Sequence, residues 1–237
     1  PSTFLVANIG GAQLSKGLKV QEIKNMIEMI EANALVVHLN PLQELIQPEG
    51  EPKYKGVLSK IKEICANFDI PIIVKEVGAG ISMEVAKKLE SAGVSAINVA
   101  GSGGTSWAGV EKLRAETAHD SNKINLGELF WDWGIPTAVS LIEVRNSVKI
   151  PVIASGGIRN GLEIAKCMAL GANMCGMAFP FLRHASKSFE SLCEFTNKTL
   201  IELKSTMFLV GSKNITELAK SRFIFTGELA KVKQWTI

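Results

Sequence analysis

The stretch Ala34-Leu35-Val36-Val37-His38-Leu39-Asn40-Pro41-Leu42-Gln43-Glu44 changes from apolar residues to a polar cluster within a few positions. Its apolar start is typical of a strand in a parallel sheet, where helices cover both faces. Its polar end supplies an imidazole, two amides and a carboxylate. Because α/β folds place their binding groups at the carboxyl ends of parallel strands, this stretch predicts a functional sheet edge.

The same pattern recurs along the chain and predicts a parallel sheet. Apolar runs typical of strands cover residues 3–7, 34–39, 71–75, 96–100, 151–155 and 174–178. Helix-like segments lie between them at 18–31, 56–68, 82–92, 136–147 and 161–170. This βα alternation indicates a parallel sheet with crossover helices. The polar or glycine-rich ends of successive strands favour a TIM (β/α)8-type barrel over an open sheet.

A closed barrel of this type has eight strands, and the pattern predicts six, so we expect the last six strands of such a barrel. The chain is therefore interpreted as one barrel domain, residues 1–237, that is incomplete at its N-terminal side. The helical segment 188–237 is assigned to the same domain. The stretch 116–134 is predicted to be a long loop, which in folds of this size is usually a lid, a binding loop or disordered.

The composition narrows the class of protein. A net charge of +3 and 21% charged residues argue against a nucleic-acid partner. The sequence has no long apolar run, so we expect no membrane span, and its first residues do not resemble a signal peptide. None of the four cysteines forms a CxxC pair, which favours free thiols in a reducing cytoplasm.

Two strand ends carry candidate site residues. His38 and Asn40 are two positions apart, so they face the same side of a strand. Beside them, Glu44 is either a ligand for Mg²⁺ or a surface carboxylate at a helix start. Lys75 emerges from a buried strand, which favours an anionic partner such as a reduced flavin or a phosphate. The alternative for Lys75 is a side chain that reaches solvent.

Glycine-rich turns follow two other predicted strands, at 101–105 and 155–161. Glycine lets backbone N–H groups approach an anion, and barrels commonly bind phosphate after their last two strands. Ordinary βα turn geometry is the alternative. Asn8 ends the first predicted strand and either meets a heteroaromatic ring edge or forms a turn. Trp131 and Trp133 form either an aromatic wall or an anchor for the long loop.

Together these residues resemble the type 2 isopentenyl diphosphate isomerases, flavin-dependent TIM barrels that interconvert isopentenyl and dimethylallyl diphosphate. The resemblance covers nearly the whole chain. The most specific motif is HLNPLQE at 38–44, continued by QPEG at 47–50. Supporting motifs are ANIG at 7–10, VKE at 74–76, GGTSW at 103–107, DWGIPT at 132–137, SGGIR at 155–159 and GMA at 176–178.

The resemblance implies a role for each matched residue. Asn8 and Lys75 would contact the flavin, and Glu44 would carry Mg²⁺ to the diphosphate. His38 and Asn40 would line the gap between flavin and substrate and, with the substrate-binding Gln43, form the catalytic set. The cofactor's phosphate end would be held by Thr105, Gly156, Gly157, Ala178 and Phe179.

The implied cofactors are reduced FMN, Mg²⁺ and NADPH or another reductant. The implied partner is a small diphosphate substrate, in a cytoplasmic homo-oligomer. Members of this family carry two earlier strands, with Thr-Gly-Gly and Gly-Ser-Gln turns and basic residues before them, and a hydroxyl residue where this chain has Ala100.

Two other functions remain open at this point. One is an FMN-dependent oxidoreductase of a small acid, which would want an arginine pair and a catalytic histidine near the ring. The other is a non-catalytic remnant that acts by assembly.

Overall fold

The computed structural model describes residues 3–232 of the chain. Its strands are β1 Val6–Gly10, β2 Ala34–His38, β3 Ile72–Lys75, β4 Ala96–Asn98, β5 Val152–Ala154 and β6 Met174–Cys175. Its helices are α1 Gly11–Ser15, α2 Val20–Met29, α3 Pro41–Ile46, α4 Val57–Asn67, α5 Met83–Ser91, α6 Trp107–Thr117, α7 Ser121–Leu129, α8 Thr137–Ser147, α9 Gly161–Ala169, α10 Phe179–Ala185, α11 Phe189–Leu209, α12 Ile215–Leu218 and α13 Glu228–Val232.

The six strands form one parallel sheet in the order β1-β2-β3-β4-β5-β6. Each strand therefore pairs with its neighbours in sequence, which is the topology of a (β/α) barrel. Within residues 3–232, β1 and β6 each pair on one side. The predicted sheet of six parallel strands in a TIM-barrel-type fold is thus confirmed, as an open sector.

The alternation of side chains along each strand decides which face holds the core. Leu35, Val37 and Val74 are fully buried between the sheet and its helices. Their neighbours His38 and Lys75 point to the opposite, concave face and are half-buried. The concave face, at its carboxyl end, therefore collects the polar side chains.

The helices cover the sheet with their apolar stripes. In α4, for example, Val57, Ile61 and Ile64 are buried, at the i, i+4, i+7 spacing of one helix face. Gly56 precedes this helix with a φ of +86°, a conformation that glycine adopts without strain.

The first strand lies three residues later than the sequence predicted, at Val6–Gly10 instead of 3–7. The register with β2, from Val6 opposite Ala34 to Gly10 opposite His38, fixes this position. Asn33 holds the entry to the strand, because its side chain accepts a hydrogen bond from the Leu5 N–H at 2.8 Å. Asn8 consequently lies within the strand and does not end it.

The prediction of a long loop at 116–134 is wrong, because helix α7 occupies Ser121–Leu129. Helix α7 packs mainly on α6 and also on α3, so it lacks the wide apolar stripe that reveals a helix packed on the sheet. Asp120 caps it, accepting a hydrogen bond from the Lys123 N–H at 3.1 Å. That N-cap residue was the available sequence signal.

The C-terminal part is helical as predicted, with α11 packed against α9 and α10. Residues 1–2 and 233–237, which belong to the predicted domain, lie outside the described residues.

Strand β6 is shorter than the predicted 174–178. Cys65, Cys167, Cys175 and Cys193 are all free thiols. In the described part of the chain no helix is long and apolar enough to cross a membrane.

Leu35→Ala is expected to lower the free energy of unfolding by about 2–5 kcal/mol, because it leaves a cavity at a fully buried position of β2. Leu58→Ala, on the exposed side of α4, is the matched control and should change it by about 0.5 kcal/mol or less. Urea unfolding followed by circular dichroism measures both. Equal effects would show that the sheet is not packed as described.

Candidate active site

A row of four residues crosses the carboxyl end of the sheet. Gly10 of β1 lies opposite His38 of β2, which lies opposite Lys75 of β3, which lies opposite Asn98 of β4. Residues paired in this way share one face, so their side chains lie together on the concave surface. A Cβ atom at Gly10 would lie 3.2 Å from His38 Nε2, so a side chain at this position would crowd the imidazole ring.

His38 is held as a neutral imidazole. Its Nδ1 lies 3.3 Å from Asn8 Oδ1, so the tautomer with its proton on Nδ1 can donate a hydrogen bond to this amide oxygen. Burial lowers the pKa of His38, the nearby Lys75 ammonium lowers it further, and Glu44 partly offsets both. These effects favour the neutral imidazole, whose Nε2 is an acceptor in the tautomer that donates to Asn8.

Lys75 is a half-buried ammonium group that lacks an anionic contact. Burial lowers its pKa, which the neighbouring Glu76 partly offsets. Within residues 3–232, its ammonium takes part in no hydrogen bond or ion pair. Because an ammonium at low solvation is stabilised by a negative charge, this position suits an anionic ligand.

Asn40 is a buried residue that organises the polar cluster. It is 4% exposed and exchanges two hydrogen bonds with Tyr54: the Tyr54 hydroxyl donates to Asn40 Oδ1 at 2.8 Å, and the Asn40 N–H donates to that hydroxyl at 3.1 Å. Asn40 Nδ2 donates to Gln43 Oε1 and to Glu44 Oε1, both at 3.2 Å. Asn40 thus orients both side chains.

Gln43 is fixed at both ends of its amide. Its Nε2 donates to Glu111 Oε1 at 2.9 Å, while its oxygen faces Asn40. Glu111 is 1% exposed, and Arg114 Nη1 donates to its other oxygen at 2.7 Å. A buried carboxylate paired in this way holds the Gln43 amide in a single orientation.

Sequence reasoning missed Tyr54 and Glu111. Tyr54 is the single tyrosine of the chain, which was the one signal available. Burial raises its pKa to about 12, so the hydroxyl keeps its proton and can donate to Asn40. Glu111 occupies a core-facing position of α6, where a carboxylate is unusual, but α6 was not among the predicted helices.

Glu44 lies in the first turn of α3, directly above the end of β2. Its Oε2 accepts a hydrogen bond from the Glu51 N–H at 3.0 Å and its Oε1 accepts from Asn40. Each oxygen keeps a further lone pair. In the described part of the chain no group of three or more His, Cys, Asp or Glu side chains could hold a metal. A single carboxylate still suits Mg²⁺ when substrate phosphates and water complete the shell.

The two glycine turns touch each other backbone to backbone. Gly156 and Gly157 have φ values of +101° and +76°. A Cβ atom would lie 2.1 Å from the Gly101 oxygen at the first position and 2.2 Å from the Gly103 oxygen at the second. Thr137 Oγ1 also donates to the Gly156 oxygen at 2.7 Å. Only glycine fits at either place, and the bare backbone can approach a phosphate.

The remaining predicted cofactor residues lie exposed at the same sheet edge. Thr105 follows β4, and Ala178 precedes α10. Phe179 opens α10 with its side chain 61% exposed. Because the side chains of Ala178 and Phe179 have no hydrogen-bond donor, these residues would contact a phosphate through their backbone N–H groups.

A cleft of about 370 Å³ opens beside this row. Its walls are Leu42, Gln43, Glu76–Ala79, Ser102–Ala108 and Trp131–Trp133. Trp131 also packs on α6, since a Cβ atom at Gly109 would lie 2.7 Å from its ring. Both tryptophans line the cleft, and Trp131 also anchors the segment that carries it.

Comparison with known proteins identifies the family. The sequence pattern of the FMN-dependent dehydrogenases matches residues 11–224. The chain belongs to the FMN-dependent dehydrogenase family. A solved mandelate oxidase mutant with the monooxide FMN adduct has a similar fold, with a TM-score of 0.61 over 87% of this chain and 59% of that one, at 18% identity.

Curated relatives of this family member are named isopentenyl-diphosphate delta-isomerase. The chain is 48% identical to that of Pyrococcus furiosus over 99% of this chain and 59% of the relative, and 51% identical to that of Methanosarcina mazei over 96% and 61%. The resemblance inferred from the motifs is thus confirmed. The chain spans about three fifths of the length of these relatives.

Proposed function

We propose that this chain carries the FMN, substrate and Mg²⁺ sites of an isopentenyl-diphosphate delta-isomerase that interconverts isopentenyl and dimethylallyl diphosphate. The observation that carries the proposal is the network in which Asn40 and the buried Glu111 fix Gln43, with Glu44 beside it. An oxidase of small acids would need an arginine pair at this position. The names of the curated relatives support the isomerase.

The residues fit FMN. Asn8 and Lys75 would hold its ring, because Lys75 offers an unpaired cation on the concave face. Its phosphate end would meet the backbone of Gly156 and Gly157, together with Thr105, Ala178 and Phe179. When bound in its reduced form, FMN supplies an electron-rich ring that can exchange a proton with the substrate.

The substrate would lie between the FMN ring and the Gln43–Glu44 pair. Glu44 would hold Mg²⁺ against the diphosphate, since hard cations prefer carboxylate and phosphate oxygens. Gln43 orients the substrate because its own amide cannot rotate. His38, neutral and fixed by Asn8, presents an acceptor in the same space.

The reaction adds a proton to one carbon of the alkene and removes one from another, so it has no net redox change. The flavin must nevertheless be reduced first, which NADPH or another reductant would do. We further propose that one domain holds this site in a cytoplasmic homo-oligomer. Two further βα units would close the sector, since β1 and β6 each leave an edge unpaired within residues 3–232.

FMN binding tests the proposal directly. The purified protein, incubated with FMN and desalted, is expected to retain the visible absorbance of a flavin. Gly156→Ala should abolish retention, because the added Cβ meets the Gly101 oxygen. Gly211→Ala is the matched control: its φ is also positive, at +72°, but nothing lies within 4 Å of its Cβ.

A colourless wild-type protein would contradict the proposal. Retained flavin that is bleached anaerobically by a 2-hydroxy acid would instead favour the oxidoreductase. Conversion of isopentenyl diphosphate that requires both reduced FMN and Mg²⁺ is the outcome expected here.

A further inference from the structure

Glu76 is a buried carboxylate that the proposed reaction does not use. It follows Lys75 at the end of β3 and is 5% exposed. Its Oε2 accepts hydrogen bonds from the N–H groups of the next three residues, Val77 at 2.6 Å, Gly78 at 2.9 Å and Ala79 at 2.7 Å. Consecutive N–H groups around one point form a nest that binds anions. Here the chain supplies the anion itself.

The turn that Glu76 holds is one wall of the cleft. Val77, Gly78 and Ala79 line the same cleft as Gln43. A Cβ atom at Gly78 would lie 3.2 Å from the Thr105 oxygen, so this turn also lies close to the loop that follows β4. The position of the turn therefore sets the width of the cleft.

The same turn is joined to the glycine turns by successive hydrogen bonds. The Ile135 N–H donates to the Ala79 oxygen at 2.9 Å, and the Ser102 N–H donates to the Ile135 oxygen at 2.9 Å. Thr137 donates from its N–H to the Ser102 oxygen at 3.0 Å and from its hydroxyl to the Gly156 oxygen at 2.7 Å. Displacement of the turn would therefore disturb the backbone around Gly156.

A buried carboxylate is costly unless its hydrogen-bonding capacity is satisfied. Burial raises the pKa of Glu76, whereas the three amide hydrogen bonds and Lys75 lower it. The turn that Glu76 holds lines the cleft and directly follows Lys75.

We propose that Glu76 is a positioning residue, which fixes the wall of the cleft and, through Ile135 and Thr137, the glycine turn beside it. This inference rests on the proposed function in so far as those elements hold FMN and the diphosphate. Glu76 itself would touch neither ligand.

The test compares Glu76→Ala and Glu76→Gln with Glu90→Ala. Glu90 is a matched control, because its Oε1 also accepts two backbone N–H groups, from Lys149 at 2.7 Å and Ile150 at 3.2 Å. Those groups precede β5, at the sheet end opposite the cleft. Loss of either carboxylate should lower the melting temperature.

FMN affinity, measured by fluorescence quenching, should separate the two positions. We expect Glu76→Ala to bind FMN about tenfold more weakly, a change that corresponds to one or two lost hydrogen bonds. Glu76→Gln keeps an acceptor oxygen and should stay within about threefold of the wild type. Glu90→Ala should bind FMN like the wild type. In hydrogen exchange, segments 77–80 and 133–137 should exchange faster in Glu76→Ala than in the wild type, faster to a smaller extent in Glu76→Gln, and at the wild-type rate in Glu90→Ala.

Equal FMN affinity in Glu76→Ala and Glu90→Ala would overturn the inference. If the wild type binds no FMN, the proposed function fails, and hydrogen exchange alone then tests the positioning role of Glu76. Faster exchange confined to segments 77–80 and 133–137 supports that role. Exchange that is equally fast throughout the protein refutes it. If Glu76→Ala does not fold, Glu76→Gln decides by the same exchange pattern.

Discussion

Lys75→Met is expected to stabilise the ligand-free protein and to abolish retention of FMN. The ammonium is half-buried without a hydrogen bond among the described residues, so an apolar side chain of similar length removes an unfavourable charge. We expect the free energy of unfolding to rise by about 1 kcal/mol. FMN should bind about a hundredfold more weakly, because its electron-rich ring loses a buried cationic partner.

The free energy of unfolding of the wild type should also depend on pH, in a direction set by the lowered pKa of Lys75. Burial lowers the pKa of Lys75 in the folded state, so between that pKa and the ordinary lysine value the unfolded chain binds more protons. The wild type should therefore gain stability as pH rises through that interval, and Lys75→Met should lack this gain.

Urea unfolding between neutral and alkaline pH measures the effect, with Lys87→Met on the exposed face of α5 as control. A methionine variant that is destabilised, or that retains FMN, would mean that Lys75 has a structural role and no anionic ligand.

The sheet could be predicted because its signal is local. A parallel strand covered on both faces is apolar nearly throughout, so an apolar run such as that of β2 is enough to predict a strand. The start of β1 could not be placed, since Phe4 and Leu5 are as apolar as Val6 and Ala7. Only pairing with β2 decides which of them enters the sheet. Helix α7 was missed because it packs on another helix.

The site was predictable where the sheet itself positions the residue. His38 and Lys75 are adjacent because their strands are, which the βα pattern already implies. The contacts that hold Gln43 and Asn40, in contrast, come from residues distant in the sequence or in a loop. Glu111 reaches Gln43 across 68 residues of sequence, and Tyr54 reaches Asn40 from a loop. No local pattern encodes such contacts, so the sequence did not reveal that Tyr54 and Glu111 hold Asn40 and Gln43.

Glu44→Gln is expected to lower isomerisation by about a hundredfold or more while FMN binding persists. The substitution keeps the shape of the side chain, and its oxygen can still accept from Asn40 or from the Glu51 N–H. What it removes is the negative charge that Mg²⁺ requires, so the diphosphate loses its metal-mediated contact. Binding of isopentenyl diphosphate by calorimetry should likewise lose its dependence on Mg²⁺.

Glu63→Gln on the exposed face of α4 is the matched control, since it changes the same charge far from the strand end. Isomerisation and substrate binding, each measured at several Mg²⁺ concentrations, distinguish a carboxylate that binds the metal from one that only anchors the backbone. A metal ligand makes the loss depend on Mg²⁺ concentration, so excess metal should partly restore substrate binding. A carboxylate that only anchors Glu51 and the start of α3 would lower stability equally at every Mg²⁺ concentration. In that case the diphosphate must be held by cationic groups, and Lys75 would be the first of them to test.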